Sequence, residues 1–440
     1  MKLEIERQDF LKAWQNAEKL ANAKSTKEAI AGVLITASED NTVMLEATDL
    51  KTSIRCNAKG ANVLEPGKAV IPAAIFGAML RKLDADDLVL EVNSERGFLN
   101  AGSNKMRFSV ISPETFPNIP ESASAEVICE IPAPILAKLF AEGSSAASVP
   151  QDFPKYLGTC LIRTAEGMLI AVSTDGKRLS LAKSPCDTSK DEDMLLPAPA
   201  IKEFGKTLSS CNENEKVRVS ADGSTAWFAI EGAEYSVRRV DSAFPKFERI
   251  LNAEKRTTLK INSKDLYSVL ERIDIIAKTT PAHIMSMSLQ PGGELRITAR
   301  APELGTAIET FTANIEGETL HLGFNVGYFM DGLKALGAEQ AVIEFSGEEG
   351  QTRMKREGSE DFLYMLMPAR LSTQDAVTAE ELGDFTGNSQ ENYAPESHES
   401  ESSYDAPESS YNAGEFESSD NIPESEHQDD NGNSESDTPF

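Results

Sequence analysis

Phe362–Leu371 reads Phe-Leu-Tyr-Met-Leu-Met-Pro-Ala-Arg-Leu and is the last stretch of this chain with a sustained apolar run. Six apolar residues from Phe362 to Met367, closed by Pro368, are the pattern of a strand leaving a sheet. Two earlier stretches have the same shape: Met106–Pro117 (Met-Arg-Phe-Ser-Val-Ile-Ser-Pro-Glu-Thr-Phe-Pro) and Glu234–Pro245 (Glu-Tyr-Ser-Val-Arg-Arg-Val-Asp-Ser-Ala-Phe-Pro). Phe108, Tyr235 and Tyr364 then recur about every 128 residues. The chain is three copies of one unit, and that repetition decides the fold.

The intervening pattern repeats in the same order. In the first unit a strand at Lys2–Glu6 precedes a helix capped by Asp9, with Phe10, Leu11, Trp14, Ala17 and Leu20 on one face. Strands follow at 31–37 and 42–47. A second helix after Pro72 turns Ile75, Phe76, Met79, Leu80 and Leu83 inward, and strands at 88–92 and 97–101 close the unit. The second unit has a strand at 126–131, a helix at 132–141 burying Ile135, Leu136, Leu139 and Phe140, strands at 158–163 and 168–172, a helix at 200–208, and strands at 216–220 and 225–230. The third opens with a strand at 257–261 and a helix capped by Ser263 that buries Leu266, Val269, Leu270 and Ile273. Strands at 284–289 and 294–299, a helix at 326–336 and a strand at 341–346 follow. Two helices to about eight strands per unit, with helices segregated to one face of antiparallel sheets, is an α+β class. The expected divisions are 1–123, 124–251 and 252–371, with a tail at 372–440.

Of the 440 residues, 43 are basic and 71 acidic, a net −28. The tail from Ser372 holds 19 Asp and Glu and no Lys or Arg, so the three units carry 43 basic and 52 acidic residues, a net −9. Rich in Ser, Glu, Asn, Asp and Gly, the tail cannot bury enough apolar surface to offset ordering entropy and is expected to be disordered. Five cysteines (Cys56, Cys129, Cys160, Cys186, Cys211), widely spaced and never in a Cys-x-x-Cys pair, argue for free thiols in a reducing compartment. With no apolar leader and no membrane-length apolar run, the expectation is a soluble cytoplasmic protein with no membrane partner.

Catalytic constellations fail one at a time. Gly205-Lys206-Thr207 echoes the end of a phosphate loop, but Ala200 stands where its first glycine belongs and the intervening residues read as helix. His283 and His321, the only histidines before the tail, fit no ligand pattern, and neither Gly-x-Ser-x-Gly nor His-Glu-x-x-His occurs. Ala47-Thr48-Asp49-Leu50 and Ser173-Thr174-Asp175-Gly176, 126 residues apart, are either turn chemistry or part of a site. No enzyme, cofactor or metal is expected.

The residues that remain resemble the bacterial replicative sliding clamps, the beta-subunit family of DNA polymerase III. The matching stretches are Met1–Arg7, Gly32-Val33-Leu34-Ile35, Ala47-Thr48-Asp49, Arg107-Phe108-Ser109, Phe116-Pro117-Asn118, Thr174-Asp175-Gly176-Lys177-Arg178-Leu179, Phe244-Pro245-Lys246-Phe247, Phe324-Asn325-Val326-Gly327-Tyr328 and Met367–Leu371. The resemblance implies a homodimeric ring of six domains, sheets outward and helices lining a hole through which duplex DNA passes. Sliding then needs only weak, sequence-independent phosphate contacts, which a net −9 permits. Basic candidates on or beside the helices are Lys12, Lys19, Lys24, Arg81, Lys82, Lys138, Lys202, Lys206 and Lys334. The helix starts Ile71-Pro72-Ala73-Ala74 and Leu196-Pro197-Ala198-Pro199-Ala200 lack the bases that such positions often carry in the family.

The resemblance also implies a pocket between the second and third units. There the polymerase III catalytic subunit, the clamp loader, other polymerases and repair proteins would insert a short Gln/Leu/Phe-type peptide. By motif position it would be built by Leu157, Thr174, Gly176, Lys177, Arg178, Leu179, Pro245, Arg249, Ile250, Asn325, Tyr328, Met367, Pro368 and Arg370, with Lys177 and Ala369 departing from common family residues. The dimer seam would join the strand of Phe108 and Val110 to the third unit of a second copy near Ile275 and Ile276. The family usually ends at the Arg-Leu pair. The tail is therefore an addition: an inert solubilising extension, an acidic competitor of DNA, or a segment visiting the peptide pocket through Phe416 or Thr438-Pro439-Phe440. A clamp-like scaffold with weakened DNA function is the alternative to the processivity factor.

Overall fold

The computed structural model describes residues 1–21, 25–149, 153–372 and 377. The tail beyond 377 and Lys24 lie outside the described residues. The described residues hold six α-helices: α1 (Arg7–Glu18), α2 (Ala73–Lys82), α3 (Ala133–Gly143), α4 (Ala198–Leu208), α5 (Ser263–Ala277) and α6 (Val326–Leu336). All strand pairings are antiparallel and form four sheets. Two helices and two half-sheets make one unit, repeated three times.

The half-sheets fix how the units join. In the second unit one half-sheet ends at Ala233–Arg238, which pairs with Thr52–Asn57 of the first unit and sets Tyr235 opposite Ile54. The other ends at Arg178–Pro185, which pairs with Phe362–Leu366 of the third unit and sets Tyr364 opposite Ser180. Sheets of eight and nine strands therefore run unbroken through both junctions. Two half-sheets are left over. The first unit's five-stranded sheet ends at the edge strand Asn104–Ser109, and the third unit's four-stranded sheet ends at Gly305–Thr312. These edges are the positional counterparts of the strands already paired at the two internal junctions.

Helices pack in pairs within each unit, α1 on α2, α3 on α4 and α5 on α6. Aromatic rings fill the space between them and the sheets. Trp14 lies 4.6 Å from Phe76, which lies 5.5 Å from Phe108. Phe204 lies 4.3 Å from Tyr235, and Phe324 lies 5.3 Å from Phe329. Each fully buried ring contributes roughly 1.5–3 kcal/mol of transfer free energy. The repeated aromatic position demands small neighbours. A Cβ at Gly97 would stand 2.3 Å from the Phe108 ring, and one at Gly332 would stand 2.7 Å from that of Tyr364.

Several local expectations are corrected. The cap of α1 is Glu6, whose carboxylate accepts from the amides of Gln8 and Asp9, so the helix starts before Asp9. The cap of α5 is Asn262, and Ser263 is buried behind it. Ile75 and Ile135, expected inward, are 55% and 41% exposed. Each is the third residue of its helix, where the core contact goes to the first and fourth residues, Ala73 and Phe76 or Ala133 and Leu136. The helices α3 and α4 begin at Ala133 and Ala198, each following a proline. The strands Thr52–Asn57, Arg178–Pro185 and Gly305–Thr312, absent from the pattern analysis, are the ones that make or await unit junctions.

Candidate peptide cleft and nucleic-acid face

The second junction is built outward from one turn. The Asp175 carboxylate accepts from the amides of Lys177 (2.9 Å) and Arg178 (3.0 Å), while the Thr174 hydroxyl donates to the Arg178 carbonyl (2.6 Å). Gly176 sits at φ +86°, which glycine reaches without a Cβ clash. Asp49 and Thr48 make the same turn in the first unit, so the repeated Thr-Asp is turn chemistry in both. In the second copy alone, the other Asp175 oxygen also holds the Arg178 Nε at 2.9 Å.

Arg178 is thereby aimed across the junction. Its Nη1 donates to Asp331 (2.6 Å) and to the Tyr364 hydroxyl (3.1 Å), and its guanidinium lies 4.1 Å from the Tyr328 ring centroid. Burial works against its charge, but Tyr364, Asp331 and Asp175 outweigh that and raise its pKa. The Tyr364 hydroxyl donates on to the Tyr328 carbonyl (3.0 Å), and the Asn325 side chain caps α6 at the Tyr328 amide (3.0 Å). The Met367 amide donates to the Lys177 carbonyl (2.9 Å), and Leu179 pairs with Met365. The structure thus brings Thr174, Gly176, Lys177, Arg178, Leu179, Asn325, Tyr328 and Met367 together.

On the outward face of the same sheet lies a second apolar cluster, separate from the main core. Leu161, Val172, Leu179, Leu181, Leu195 and Met365 form it, and Phe247 is laid over them. Half-buried Tyr156, Phe244, Leu251 and Leu363 flank it, and Met367 and Ile250 stand at its rim 48% and 45% exposed. The corresponding face of the first junction is polar. There Arg55 bridges Glu46 at 2.9 Å and Glu121 at 3.5 Å. A buried apolar cluster on the outward face, with Met367 and Ile250 exposed beside it, therefore distinguishes the second junction from the first.

Pro245, Arg249 and Ile250 lie on the linker crossing this cluster. The Gln351 side-chain amide donates to the Ile250 carbonyl and Arg353 donates to that of Leu251 (2.9 Å), tying the linker to the third unit. Arg249 is exposed. Leu157 is half-buried beside Tyr156, Pro368 is half-buried, and Arg370 is exposed where the chain leaves. Sequence reasoning missed Asp331, Leu181, Phe247 and Met365. Tyr364 carried a signal through its repeat spacing, Phe247 through the stretch Phe244-Pro245-Lys246-Phe247 and Met365 through the apolar run Phe362–Met367, whereas Asp331 and Leu181 carried none.

The basic candidates of the helix layer are less free than their sequence positions suggest. Lys12 pairs with Asp9 (2.7 Å), Arg81 with Glu18 (2.6 Å), Lys138 with Asp361 (3.0 Å) and Lys206 with Glu203 (3.2 Å). Lys202 is exposed, yet the protein crowding its ammonium and the Arg178 charge lower its pKa, with Asp331 opposing. Lys19, Lys82 and Lys334 are exposed, and no ion pair within 4.0 Å is seen for them among the described residues. Lys334 joins Lys264, Tyr267 and Asn262 around an open hollow of about 950 Å³ between α5 and α6.

At the unpaired edges, Phe108 is buried against Phe76, Val110 is half-buried just past the strand, and Ile276 is half-buried. Ile275 is 57% exposed. Both isoleucines are helical. The strand available for pairing in that unit is Gly305–Thr312, joined to α5 by Arg272–Glu309 contacts of 2.6 and 3.0 Å. The Nε2 of His283 bonds Asp274, and His321 bonds Ser286 and Ser288. Among the described residues no group of three or more His, Cys, Asp or Glu could hold a metal, and no helix is long and apolar enough to cross a membrane.

Family models for the DNA polymerase III beta subunit match in chain order: the N-terminal domain over residues 1–120, the central domain over 130–246 and the C-terminal domain over 248–370. The beta sliding clamp of Staphylococcus epidermidis is 25% identical over 382 residues, covering 84% of this chain and 99% of the relative. That of Staphylococcus aureus is 24% identical over 381 residues, with the same coverage. Crystal structures of the DNA polymerase sliding clamp of Bacillus subtilis and the DNA polymerase III beta subunit of Thermotoga maritima each match with a TM-score of 0.79, at 21% and 23% identity, over 84% of this chain and all of theirs. Three consecutive domain matches on a threefold repeat of two helices and two half-sheets lead to one conclusion: the chain belongs to the DNA polymerase III beta subunit family of sliding clamps.

Proposed function

We propose that this chain is a DNA polymerase processivity factor acting in the cytoplasm. Two copies close head to tail into a ring of six domains that encircles duplex DNA and slides on it. The domains divide at 1–123, 124–251 and 252–371. The observation that carries this is the pair of unmatched edges. Asn104–Ser109 and Gly305–Thr312 correspond to the strands that pair at both internal junctions, and each is a free edge in the lone protomer. Free edges invite pairing with another chain, and head-to-tail pairing of complementary edges closes a ring. The five- and four-stranded sheets would then merge into nine strands, the size of the sheet at the second junction.

The replicative polymerase, the clamp loader, and other polymerases and repair proteins dock short peptides in the cleft of the second junction. The exposed Met367 and Ile250, backed by the buried Leu179–Met365–Phe247 cluster, take their apolar anchors, and the exposed Lys177, Arg249 and Arg370 steer them. DNA is held topologically, so Lys19, Lys82 and Lys334, with no ion pair among the described residues, need supply only weak phosphate contacts.

The test loads the protein with a clamp loader onto nicked circular plasmid, isolates the complex and linearises half of it. Loss from linear but not circular DNA supports the sliding ring, and retention on both sinks it. A clamp-like scaffold with weakened DNA function is the alternative, favoured by the ion pairs that already occupy Lys12, Arg81, Lys138 and Lys206. No loading, with normal binding of a partner peptide, would establish it.

A further inference from the structure

The chain leaves the third unit beside the cleft. The Ala369 amide donates to the Gly323 carbonyl (2.8 Å), and Leu371 covers Gly323 so closely that a Cβ there would stand 2.8 Å from its side chain. The exit is thus fixed four residues after Met367 at the cleft rim, a span of at most about 14 Å. Exposed Lys177, Arg249 and Arg370 surround this region, and the chain that follows carries 19 acidic residues and no basic one. In that tail, two large apolar residues stand within three positions of each other only at Leu382 and Phe385, inside Glu380-Glu-Leu-Gly-Asp-Phe385. Leu382 is eleven residues past Leu371. Eleven residues reach at most about 38 Å when extended.

We propose that Glu380–Phe385 folds back onto this face of its own protomer, resting Leu382 and Phe385 on the exposed Met367 and Ile250 at the rim of the Leu179–Met365–Phe247 cluster, with its carboxylates facing Lys177, Arg249 and Arg370. The inference rests on that cleft being a peptide dock. Three features select this occupant: opposite charge at the rim, a tether that begins at the rim, and the tail's one closely spaced pair of large apolar residues. The tether also makes weak contact effective. A short flexible linker presents its segment at about millimolar concentration, so an intrinsic dissociation constant near 0.1 mM would occupy the cleft about 90% of the time. The segment then sets a threshold that partner peptides must exceed, and multivalent or tightly anchored partners pass it most readily.

The experiment compares the full chain with its L382A/F385A variant in binding a fluorescein-labelled Gln-Leu-Ser-Leu-Phe peptide at low and high salt. The variant should bind about tenfold tighter, with the gap shrinking as salt screens the rim contacts. Equal affinities in both chains would overturn the fold-back while leaving the dock intact. Failure of the peptide to bind either chain would overturn the dock, and the fold-back with it. A second measurement is independent of the partner peptide. A photo-crosslinking p-benzoylphenylalanine at position 385 of the full chain should, on illumination, join the peptides containing Leu179–Leu181 or Met365–Pro368. Crosslinks only elsewhere would also overturn the proposal.

Discussion

The guanidinium of Arg178 lies 4.1 Å from the ring centroid of Tyr328 and joins the second unit to the third. Asp175 orients it from its own turn, while Asp331 and Tyr364 receive it on the other side. Its side chain is 11% exposed and that of Asp175 only 8%. Arg178→Ala therefore leaves the buried Asp175 carboxylate with its two amide donors but without its cation, and takes one of two partners from the Tyr364 hydroxyl. It should cost about 2–4 kcal/mol in urea unfolding and weaken peptide binding. Arg178→Lys keeps the charge but not the planar fork, and should recover less than half of that loss. Wild-type stability in the alanine variant would show that the junction does not depend on this residue.

A second set of charges spans the same junction. Asp361 of the third unit meets Lys138 of α3 at 3.0 Å and Arg356 at 3.0 Å, and Arg356 meets Glu142 of α3 at 2.5 Å. Burial opposes ionisation of Asp361, but the Ser359 hydroxyl, Lys138 and Arg356 outweigh it and hold the carboxyl well below the usual aspartate range. The unfolded chain then takes up the proton first as pH falls. The Asp361 contribution is complete above about pH 4, the ordinary aspartate value, and drains away below it. Asp361→Asn should lower stability at pH 7 and flatten the loss of stability between about pH 4 and pH 2. An acid limb identical to wild type would contradict this assignment.

Residue periodicity located helices well because each helix buries a strong stripe, as Phe10, Trp14 and Ala17 do in α1. Among the strands it missed are those whose burial is shared with other units. Thr52–Asn57 and Arg178–Pro185 carry polar residues on sequence inspection, yet Ser53 and Ser180 are buried by strands more than 180 residues away. No local pattern encodes such a partner. The cleft was legible only in part for the same reason. Its turn residues form a contiguous motif, whereas Leu181, Met365 and Phe247 look like ordinary strand and linker residues until the sheet aligns them on an outward face. Ile75 and Ile135 misled in the opposite sense, since the first helical turn presents its third residue away from the core.

Met367 is the most exposed apolar residue at the cleft rim, at 48%, and its backbone is fixed by Lys177. Met367→Asp removes an apolar contact surface and sets a negative charge there without touching the core. Stability should change by less than about 0.5 kcal/mol, while affinity for the labelled Gln-Leu-Ser-Leu-Phe peptide should fall at least about tenfold. Unchanged affinity would move the dock away from this rim.

Ile275 is 57% exposed on α5, beside the strand Gly305–Thr312 that lacks a neighbour on its outer edge. A head-to-tail dimer would cover it. Ile275→Asp should leave the melting of the protomer nearly unchanged while shifting sedimentation from a dimer to a single 47.8 kDa chain. A variant that still sediments as wild type would place the seam elsewhere.

The internal junctions also predict the register of that seam. Tyr235 faces Ile54 and Tyr364 faces Ser180, and Phe108 holds the same repeat position as the two tyrosines. In the third unit the strand Gly305–Thr312 turns Ala307 and Phe311 toward the helices and core, as Ile54 and Ala182 are turned in theirs. Phe108 should therefore face Ala307, which sets the exposed Arg107 opposite Ile308 on the outward face. A one-residue slip would turn Phe108 away from Phe76 and into solvent, so the register is strongly specified. Cysteines at both positions (R107C with I308C) should oxidise across the seam, because directly opposed antiparallel residues stand about 4.5–5.5 Å apart, within disulfide reach. Gel electrophoresis under non-reducing conditions would show a covalent dimer, and the ring locked on circular plasmid would withstand denaturant. Crosslinking through R107C with T310C instead would mean a register shifted by two residues, and no crosslink with either partner would mean that these two strands do not meet.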